Sequence, residues 1–396
     1  MVEPANADGD LNQWLAQQAA QRQARFLERR RLTLSVSDAV TVRAGDELLL
    51  NFSGNDYLGL ASHPEMIAAL KDAADSHGVG SGASALVSGF RKQHQLLEKE
   101  LAEFLQRDKV LLCSSGYLAN LAVATSLTTR GDVIIQDKLC HASLIDGARL
   151  SRAKLLRYPH ADLDVLQRQL EKSRTGNALV VSDGVFSMDG DTAPVAGLSA
   201  LCRQHGAWLA VDDAHGIGIC GPAGRGSVAA AGLSATQVPV LTGTLGKAFG
   251  CFGAFIAGSG ALIDQLVNEA RSYIYTTAMP PALAAAARAA LRRVSEDEWR
   301  REHLQALIGH FREAAAQRGL ALMDSQSPIQ PLVIGKSQDT LELSARLRKK
   351  GFLVVAIRPP TVPEGTSRLR ITLSAAHRFS QLDKLLDAVA ESCKHG

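Results

Sequence analysis

Between residues 110 and 257 the sequence alternates short apolar runs with helical patterns. The apolar runs, each of which predicts a strand, are residues 110–113, 133–136, 154–158, 178–182, 208–212, 240–242 and 253–257. Helical periodicity separates several of them, for example over residues 93–105 and 163–172. This alternation predicts an α/β fold with a mostly parallel central sheet and helices on both faces. Ligands bind such sheets at the carboxyl ends of the strands, so the residues just after each run are the site candidates.

The segments on either side of this region have different patterns. Residues 11–31 predict a polar helix, and residues 33–42 and 47–52 predict a hairpin that turns at Gly45 and Asp46. After an alanine-rich helix at residues 281–294, the order helix, strand, helix, strand, strand, helix predicts a small α+β unit. A chain of 396 residues exceeds the size at which single cores usually stop growing. We therefore predict an N-terminal segment (1–50), a large domain (51–294) and a small domain (295–396).

Composition excludes several classes of function. The net charge of +3 is too small to indicate nucleic-acid binding. No apolar run is long enough to span a bilayer, and the acidic N-terminal residues do not resemble a secretory signal. The six cysteines form no Cys-x-x-Cys pair, and Cys202 with His205 lacks the second half of a zinc site. We expect a cytoplasmic protein with reduced thiols that binds no metal, no membrane and no nucleic acid.

Lys247 stands in a glycine-containing segment directly after the apolar run at residues 240–242. A lysine after a glycine could indicate a P-loop, but that motif needs four residues between its glycines and Ser or Thr after the lysine. Here only two residues separate Gly243 from Gly246, and Ala248 follows the lysine. Two interpretations of Lys247 are left: a solvated loop lysine, or an amine that reacts with an aldehyde.

An acid pair and a histidine follow the run at residues 208–212, in the order Asp212, Asp213 and His215. A lysine with such an acid is typical of pyridoxal phosphate (PLP) sites, where the lysine binds the aldehyde as a Schiff base and the acid holds the ring nitrogen protonated. Successive strand residues point to opposite faces, so only one acid can do this; Asp212 is the first candidate and Asp213 the competitor. His215 could bond the ring oxygen, or be a satisfied turn histidine.

Other strand ends supply the remaining needs of such a cofactor. His141 follows a strand end and could stack on the flat ring. Residues 115–120, which include Gly116 and Tyr117, lead into a helix whose N–H groups could bind the phosphate, and Thr244 adds a hydroxyl. An ordinary helix cap would explain residues 115–117 equally well. The glycine-rich residues 78–84 could be a second phosphate or substrate turn, or a flexible crossing.

Arg358 follows an apolar run and precedes prolines at positions 359, 360 and 363. A guanidinium held by a rigid loop can bind a carboxylate through two parallel hydrogen bonds. The sequence therefore predicts that Arg358 binds an amino-acid carboxylate. A surface arginine is the alternative interpretation.

Together these residues resemble the α-oxoamine synthases, a branch of the fold-type I PLP-dependent enzymes. The similarity extends from about residue 11 to residue 386, and the segments that carry it are residues 51–59, 183–191, 211–216, 243–247 and 357–363. It implies a fold-type I PLP-dependent transferase, with a large domain around a mostly parallel sheet and a smaller C-terminal α+β domain. Two positions depart from the family pattern. Asp183 stands where relatives often have Glu, and Tyr117 where some have Phe.

The resemblance also implies a role for each residue. Lys247 would bind PLP covalently and later move the substrate α-proton, Asp212 would pair with the ring nitrogen, and His141 would stack on the ring. Thr277 would reach the phosphate of the neighbouring subunit in a homodimer. Implied catalytic residues are Lys247, His141, Asp212 and His215. Implied cofactor contacts are Gly116, Tyr117, His141, Ser187, Asp212, His215, Thr244, Lys247 and Thr277. Implied substrate contacts are Arg29, Asn55, His141, Arg358 and Thr361.

The implied activity is an acyl transfer in which an amino acid condenses with an acyl thioester and loses carbon dioxide. Residues 357–363 favour the branch of biotin biosynthesis, whose substrates are L-alanine and a pimeloyl thioester of coenzyme A or acyl carrier protein. The sibling activities, glycine C-acetyltransferase and 5-aminolevulinate synthase, use glycine and stay open as alternatives. A non-catalytic PLP-fold binding protein is a more remote alternative, because the chain has Lys247, Asp212, His215 and Arg358 together.

Overall fold

The computed structural model describes residues 10–173 and 176–394. The strands are β1 (Ser35–Val36), β2 (Thr41–Ala44), β3 (Glu47–Asn51), β4 (Lys109–Cys113), β5 (Val133–Asp137), β6 (Lys154–Tyr158), β7 (Ala178–Asp183), β8 (Trp208–Asp212), β9 (Val240–Thr244), β10 (Ala254–Gly258), β11 (Ile329–Gly335), β12 (Phe352–Leu353), β13 (Ala356–Ile357) and β14 (Ser367–Thr372). The helices are α1 (Leu11–Ala24), α2 (Pro64–His77), α3 (Lys92–Leu105), α4 (Gly116–Leu127), α5 (Ala142–Ser151), α6 (Leu163–Lys172), α7 (Val195–Gln204), α8 (Ser227–Ala230), α9 (Gly260–Glu269), α10 (Arg271–Ile274), α11 (Pro281–Glu296), α12 (Glu298–Gln317), α13 (Ser337–Lys349) and α14 (Phe379–Lys394).

A seven-stranded sheet forms the centre of the molecule, with the strand order β4-β10-β9-β8-β7-β5-β6. All neighbours along β9, β8, β7, β5 and β6 are parallel, and only β10 runs antiparallel to its neighbours β4 and β9. The predicted mostly parallel sheet is confirmed, and each of its seven strands lies within two residues of the predicted bounds. The carboxyl ends of six strands therefore meet at one edge of the sheet.

Both faces of this sheet are covered by helices, as its apolar sequence predicts. Along β8, Leu209 and Val211 join the core that contains residues of α3, α6, α7 and α11. Between them Ala210 points the other way, into a core formed with α4, α5 and α9. This alternation decides which face each residue at the end of β8 belongs to.

The N-terminal helix is shorter than predicted. α1 begins after Asp10, whose side chain accepts the Asn12 N–H, and ends at Ala24 rather than at residue 31. Phe26 has a φ of 56°, which a right-handed helix cannot include, and the chain then runs on without regular structure to β1. The prediction was wrong at this end because the arginine-rich periodicity carried no stop signal.

The predicted hairpin is β2 and β3, and its turn at Gly45 has the positive φ of 61° that favours glycine. The first arm was predicted to begin at residue 33, but β2 begins at Thr41. A turn precedes β2, because the N–H groups of Ser37 and Asp38 both donate to the carbonyl of Thr41. The short strand β1 then pairs with β2 as a separate element.

The C-terminal part contains an antiparallel sheet in the order β11-β14-β13. Its element order matches the prediction except for one additional strand, β12, which pairs in parallel with β3. This pairing joins the N-terminal hairpin to the C-terminal part of the chain. The predicted division into three units at residues 50 and 294 stays a prediction. In neither described range is any helix both long and apolar enough to cross a membrane.

Candidate active site

Lys247 and His215 form the centre of the site. Lys247 lies three residues after β9, and its Nζ is 2.6 Å from Nε2 of His215. His215 follows the neighbouring strand β8, and its Nδ1 is 2.7 Å from the hydroxyl of buried Tyr57. Burial lowers the pKa of Lys247 to about 8, and burial, with the Lys247 charge, places the pKa of His215 well below its usual value. The lysine can therefore lose its proton near neutral pH, beside a neutral histidine.

Asp212 lies on the same side of the sheet as Lys247, and neutral groups hold its carboxylate. Its Oδ2 accepts a hydrogen bond of 2.5 Å from Nδ2 of Asn120, on α4, and its Oδ1 accepts the N–H of Ala214 at 3.0 Å. Asn120 is itself fixed, since its Oδ1 accepts the Thr242 hydroxyl at 3.1 Å. Among the residues that the structure describes, none forms an ion pair with Asp212. Its charge is therefore available to a protonated ring nitrogen.

Asp213 points to the opposite face of β8, and this separates the two candidates for the ring acid. Its Oδ2 accepts the N–H of Ser227 at 2.6 Å, and its side chain is fully buried. A Cβ at any of Gly184, Gly216 or Gly226 would collide with this carboxylate. Asp213 thus fills a closed pocket behind the loop that presents His215, and only Asp212 faces Lys247.

His141 is the N-cap of α5 and lies beside the same edge of the sheet. Its N–H donates to Oδ2 of Asp183 at 2.9 Å, and its Nδ1 lies 2.7 Å from the hydroxyl of Ser143. Partial burial lowers the pKa of His141, and the charges of Asp212 and Lys247 also act on it. Asp183, one of the two departures from the family pattern, therefore still positions the main chain of His141.

The first turn of α4 offers a site for an anion. Gly116 is the first residue of α4, and the Ser115 hydroxyl caps the helix by accepting the Leu118 N–H at 3.3 Å. Tyr117 lies edge-on to the His141 ring, with 6.5 Å between ring centroids, and its hydroxyl donates to Asp146. Free N–H groups at the N-terminus of a helix of twelve residues favour a phosphate.

Two further residues that were predicted to contact the phosphate, Thr244 and Thr277, lie in regular main-chain contacts. The Thr244 hydroxyl donates to the Gly253 carbonyl at 3.0 Å and accepts the Gly246 N–H at 3.1 Å, which shapes the turn before Lys247. Thr277 forms an isolated β-bridge with Ser84, at the end of the glycine-rich residues 78–84. That loop is thus bound to the segment containing Thr277.

Arg370, which the sequence analysis missed, lies close to the central pair. It is 7% exposed, its Nε donates to the Ser187 carbonyl at 2.6 Å, and its Nη1 donates to Oδ1 of Asn55 at 3.2 Å. Its Nη2 is 3.5 Å from the Tyr57 hydroxyl, and its charge contributes to the lowered pKa of Lys247. Two arginines two residues apart in an apolar strand, Arg368 and Arg370, were the signal that could have revealed it.

The partners of the two buried arginines differ. Arg368 forms an ion pair of 2.6 Å with Asp189. Arg370 forms no ion pair with any described carboxylate, and its contacts are a carbonyl, an amide oxygen and a hydroxyl. A buried guanidinium without a carboxylate partner can bind an anionic group of a ligand.

Arg358, the predicted carboxylate ligand, is engaged with the main chain. Its Nη1 donates to the Phe26 carbonyl, and its Nη2 donates to the Glu28 carbonyl at 2.9 Å. Nearby, Nη2 of Arg29 donates to the Thr361 hydroxyl at 3.3 Å. The structure therefore brings Arg29, Arg358 and Thr361 together as one group, and Asn55, Ser187 and His215 as another, around Arg370 and Tyr57.

The residues of the central group fit PLP. The cofactor needs an amine, a carboxylate, a flat neighbour and a phosphate cradle. Lys247 supplies an amine with a lowered pKa, and Asp212 supplies a carboxylate that pairs with no described cation. His141 supplies an exposed ring, and the N-terminus of α4 supplies the N–H groups. No three His, Cys, Asp or Glu side chains within residues 10–173 and 176–394 cluster so as to hold a metal ion.

Comparisons with known proteins identify the family of this chain. The family model for aminotransferase class I and II matches residues 47–389. An 8-amino-7-oxononanoate synthase of Cellvibrio japonicus is 52% identical over 381 residues, which are 96% of each chain. A solved synthase of the same name from Francisella tularensis has 31% identity and a TM-score of 0.78, with 88% of this chain and 98% of that chain covered. A serine palmitoyltransferase of S. paucimobilis with bound PLP has 27% identity and a TM-score of 0.92, with 98% and 99% covered.

These likenesses extend over nearly the whole chain, as the sequence segments predicted. The expected fold-type I architecture and the expected PLP chemistry are both confirmed. The chain belongs to the aminotransferase class I and II family.

Proposed function

We propose that this chain is an 8-amino-7-oxononanoate synthase, which joins L-alanine to a pimeloyl thioester with release of carbon dioxide and the free thiol. The observation that carries the proposal is the arrangement of Lys247, with its lowered pKa, beside neutral His215 and the guanidinium of Arg370, which pairs with no described carboxylate. Relatives of that name at 52–54% identity over about 95% of the chain support the choice of reaction.

PLP is the cofactor, and Lys247 would hold it covalently. Gly116, Tyr117 and Thr244 would hold its phosphate, together with Thr277 of a second subunit. Asp212, His215 and Ser187 would hold the ring, and His141 would stack on it. When bound, this cofactor supplies a protonated ring that accepts the electron pair left at the amino-acid Cα.

Lys247 also moves the proton in this reaction. Its amine would take the α-proton of alanine held at the cofactor, because a pKa of about 8 leaves a useful neutral fraction near pH 7 to 8. His215, which carries no proton on at least one ring nitrogen, keeps the amine oriented through the contact of 2.6 Å. Tyr57 fixes His215 from the other side, at 2.7 Å.

Arginine side chains would orient the substrate. We assign the alanine carboxylate to Arg370, because it lies by the Lys247–His215 pair and lacks a described carboxylate partner. Arg358, the candidate from sequence, already donates to two carbonyls. Arg29 and Thr361, which contact each other at 3.3 Å, would meet the acyl chain, and Asn55 would help to orient the alanine carboxylate through Arg370.

The substrate pair can be tested directly. With PLP and L-alanine, the purified protein is expected to release carbon dioxide and form 8-amino-7-oxononanoate from pimeloyl-CoA or pimeloyl-acyl carrier protein. Both donors are assayed in parallel for product by mass spectrometry, and the ratio of their rates identifies the better one. Glycine with acetyl-CoA or succinyl-CoA is the control. Turnover with those and none with alanine and pimeloyl thioesters would assign the chain to a glycine-using sibling.

We propose further that the active form is a homodimer in the cytoplasm. A patch of apolar side chains near Thr277 supports a dimer: Val79, Leu86, Val87 and Tyr275 are 88%, 51%, 81% and 71% exposed. Patches of this kind mark interfaces, and a second copy placed here could bring its Thr277 to the phosphate site. All six cysteines are free thiols, which suits a reducing compartment.

A charge in this patch should separate the subunits. Val87→Asp is expected to raise the dimer dissociation constant at least about tenfold, since burying an unpaired carboxylate costs more than about 1.4 kcal/mol. Analytical ultracentrifugation measures the shift, and activity should fall with the dimer fraction. Leu150→Asp, at a similarly exposed leucine (60%) late in α5, is the control. An unchanged dimer in Val87→Asp, or a monomeric parent protein, would contradict the proposal.

A further inference from the structure

His160 lies between two carboxylates that belong to different loops of the site. It follows β6, and its Nδ1 is 3.1 Å from Oδ2 of Asp137 while its Nε2 is 2.7 Å from Oδ2 of Asp191. The ring is therefore held at both nitrogens. None of the cofactor or substrate roles assigned above uses His160.

The first carboxylate begins the loop that leads to His141. Asp137 is the last residue of β5 and is 1% exposed. Its Oδ1 accepts the Leu139 N–H at 2.7 Å, and its Oδ2 accepts the Ala161 N–H at 2.8 Å. Asp137 thus fixes the start of residues 138–141 through the Leu139 N–H, and His160 in turn fixes the Asp137 carboxylate.

The second carboxylate closes the loop that presents Ser187. The carbonyl of Asp191 accepts the Phe186 N–H at 2.9 Å, and a β-bridge joins Val185 to Thr192. Residues 186–191 are therefore a closed turn with Asp191 at its base. The other side of this turn is held by Arg368, through Asp189, and by Arg370, through the Ser187 carbonyl.

His160 carries a positive charge in this position. The hydrogen bonds to Asp137 and then Asp191 raise the pKa of His160 to about 10, against the opposing effect of burial. Both ring nitrogens can then donate, one to each carboxylate. The His160 ring also lies edge-on to Phe186, with 4.5 Å between centroids, so that it packs against the residue next to Ser187. Asp137 and Asp191 are the charged groups that face it.

We propose that His160 is a positioning residue, which clasps residues 138–141 to residues 186–191 so that His141 and Ser187 face the cofactor at a fixed spacing. The clasp acts through two loops, and His160 itself touches no reacting atom. The proposal rests on the proposed function in taking His141 and Ser187 as cofactor contacts. Arg368 and Arg370 still hold residues 186–191 when the clasp is lost, so the turn should loosen without unfolding.

The test is His160→Gln, because Gln is uncharged and carries both of its N–H donors on one nitrogen, whereas the imidazolium donates from two nitrogens of the ring. Hydrogen exchange of residues 138–141 and 186–191 is expected to rise at least about tenfold, and the PLP dissociation constant of the holoenzyme to rise about tenfold or more, as for other residues that orient ligating groups. The turnover number should fall more than the KM for alanine changes, because the misplaced groups act on the bound cofactor rather than on alanine binding.

His310→Gln is the matched control. His310, on α12, pairs with Asp383, on α14, at 2.9 Å. The variant therefore removes a histidine–aspartate pair that supports neither of the two loops. It should leave exchange in both loops and PLP affinity within about twofold of the parent. Asp191→Asn is the second variant should His160→Gln not fold, and it should loosen residues 186–191 alone.

Each outcome separates the two proposals. Exchange in both loops within about twofold of the parent in His160→Gln, measured in the PLP-free protein as well, would overturn the clasp. So would an equal effect of His310→Gln. Failure of the parent protein to bind PLP at Lys247 would instead overturn the proposed function, while the exchange measurement would still decide whether His160 joins the two loops.

Discussion

Lys247→Ala is expected to abolish the condensation reaction, with a loss of at least about 10⁴-fold in turnover. General base catalysis alone contributes about 10²–10⁴-fold, and this variant also loses the covalent attachment of the cofactor. The loss should not come from unfolding, because Lys247 lies after β9 and its one described side-chain hydrogen bond is with His215. Its removal from a partly buried site should leave the thermal midpoint nearly unchanged.

Borohydride reduction followed by peptide mapping measures the chemical part of this prediction. In the parent protein the label should lie on the peptide that contains Lys247, and in Lys247→Ala it should be absent. Lys99→Ala is the control, since the Lys99 side chain on α3 is 73% exposed and pairs with Glu103 on the same helix. A label that persists on another lysine, or turnover within about tenfold of the parent, would show that Lys247 is not the reactive amine.

The position of Lys247 could be predicted because it depends on strand order and local spacing. Apolar runs are visible in the sequence, parallel strands bring their carboxyl ends to one edge, and polar residues after those runs must then meet. His141, Asp212 and His215 were found in this way. The end of α1 could not be predicted, since the left-handed φ of Phe26 has no signature in an arginine-rich segment.

Residues whose role depends on long-range contacts were harder to predict. Asn120 lay in a segment predicted to bind phosphate, yet its side chain holds Asp212 through a contact across 92 residues of sequence. The choice between Asp212 and Asp213 needed the direction of β8 and the glycines behind it. Tyr57 lies in residues 51–59, one of the segments that resemble the family, but its hydrogen bond to His215 follows only from the fold.

Arg370 shows most clearly that a role made by long-range contacts is hard to predict from sequence. An arginine in the middle of an apolar strand is unusual, but the sequence around it does not show which residues its guanidinium contacts. Arg358 had the stronger sequence signal, because it ends a strand and precedes prolines. In the folded chain those features turn Arg358 toward the carbonyls of residues 26 and 28, while β14 carries Arg370 to Asn55, Tyr57 and Ser187.

The two arginines make opposite predictions for alanine binding. Arg370→Lys keeps a charge but cannot present two parallel donors, and Arg370→Ala removes both. Loss of a buried partner of a charged group costs about 2–5 kcal/mol. Since about 1.4 kcal/mol is tenfold, affinity for L-alanine should fall about 30-fold to about 4,000-fold in Arg370→Ala and less in Arg370→Lys. Arg358→Lys should leave alanine affinity within about threefold of the parent.

The measurement must separate carboxylate binding from the support that Arg370 gives to Ser187 and Asn55. Titration of each holoenzyme with L-alanine and with ethylamine, which lacks the carboxylate, makes this separation through the cofactor spectrum. If Arg370 binds the carboxylate, Arg370→Ala should remove most of the preference for alanine over ethylamine. If it only supports the loop, both amines should weaken equally and the preference should survive. Loss of the preference in Arg358→Lys instead would return the carboxylate to Arg358, as the sequence predicts. The ratio of the two affinities therefore decides between the guanidinium that the sequence favours and the one that the fold brings to Lys247.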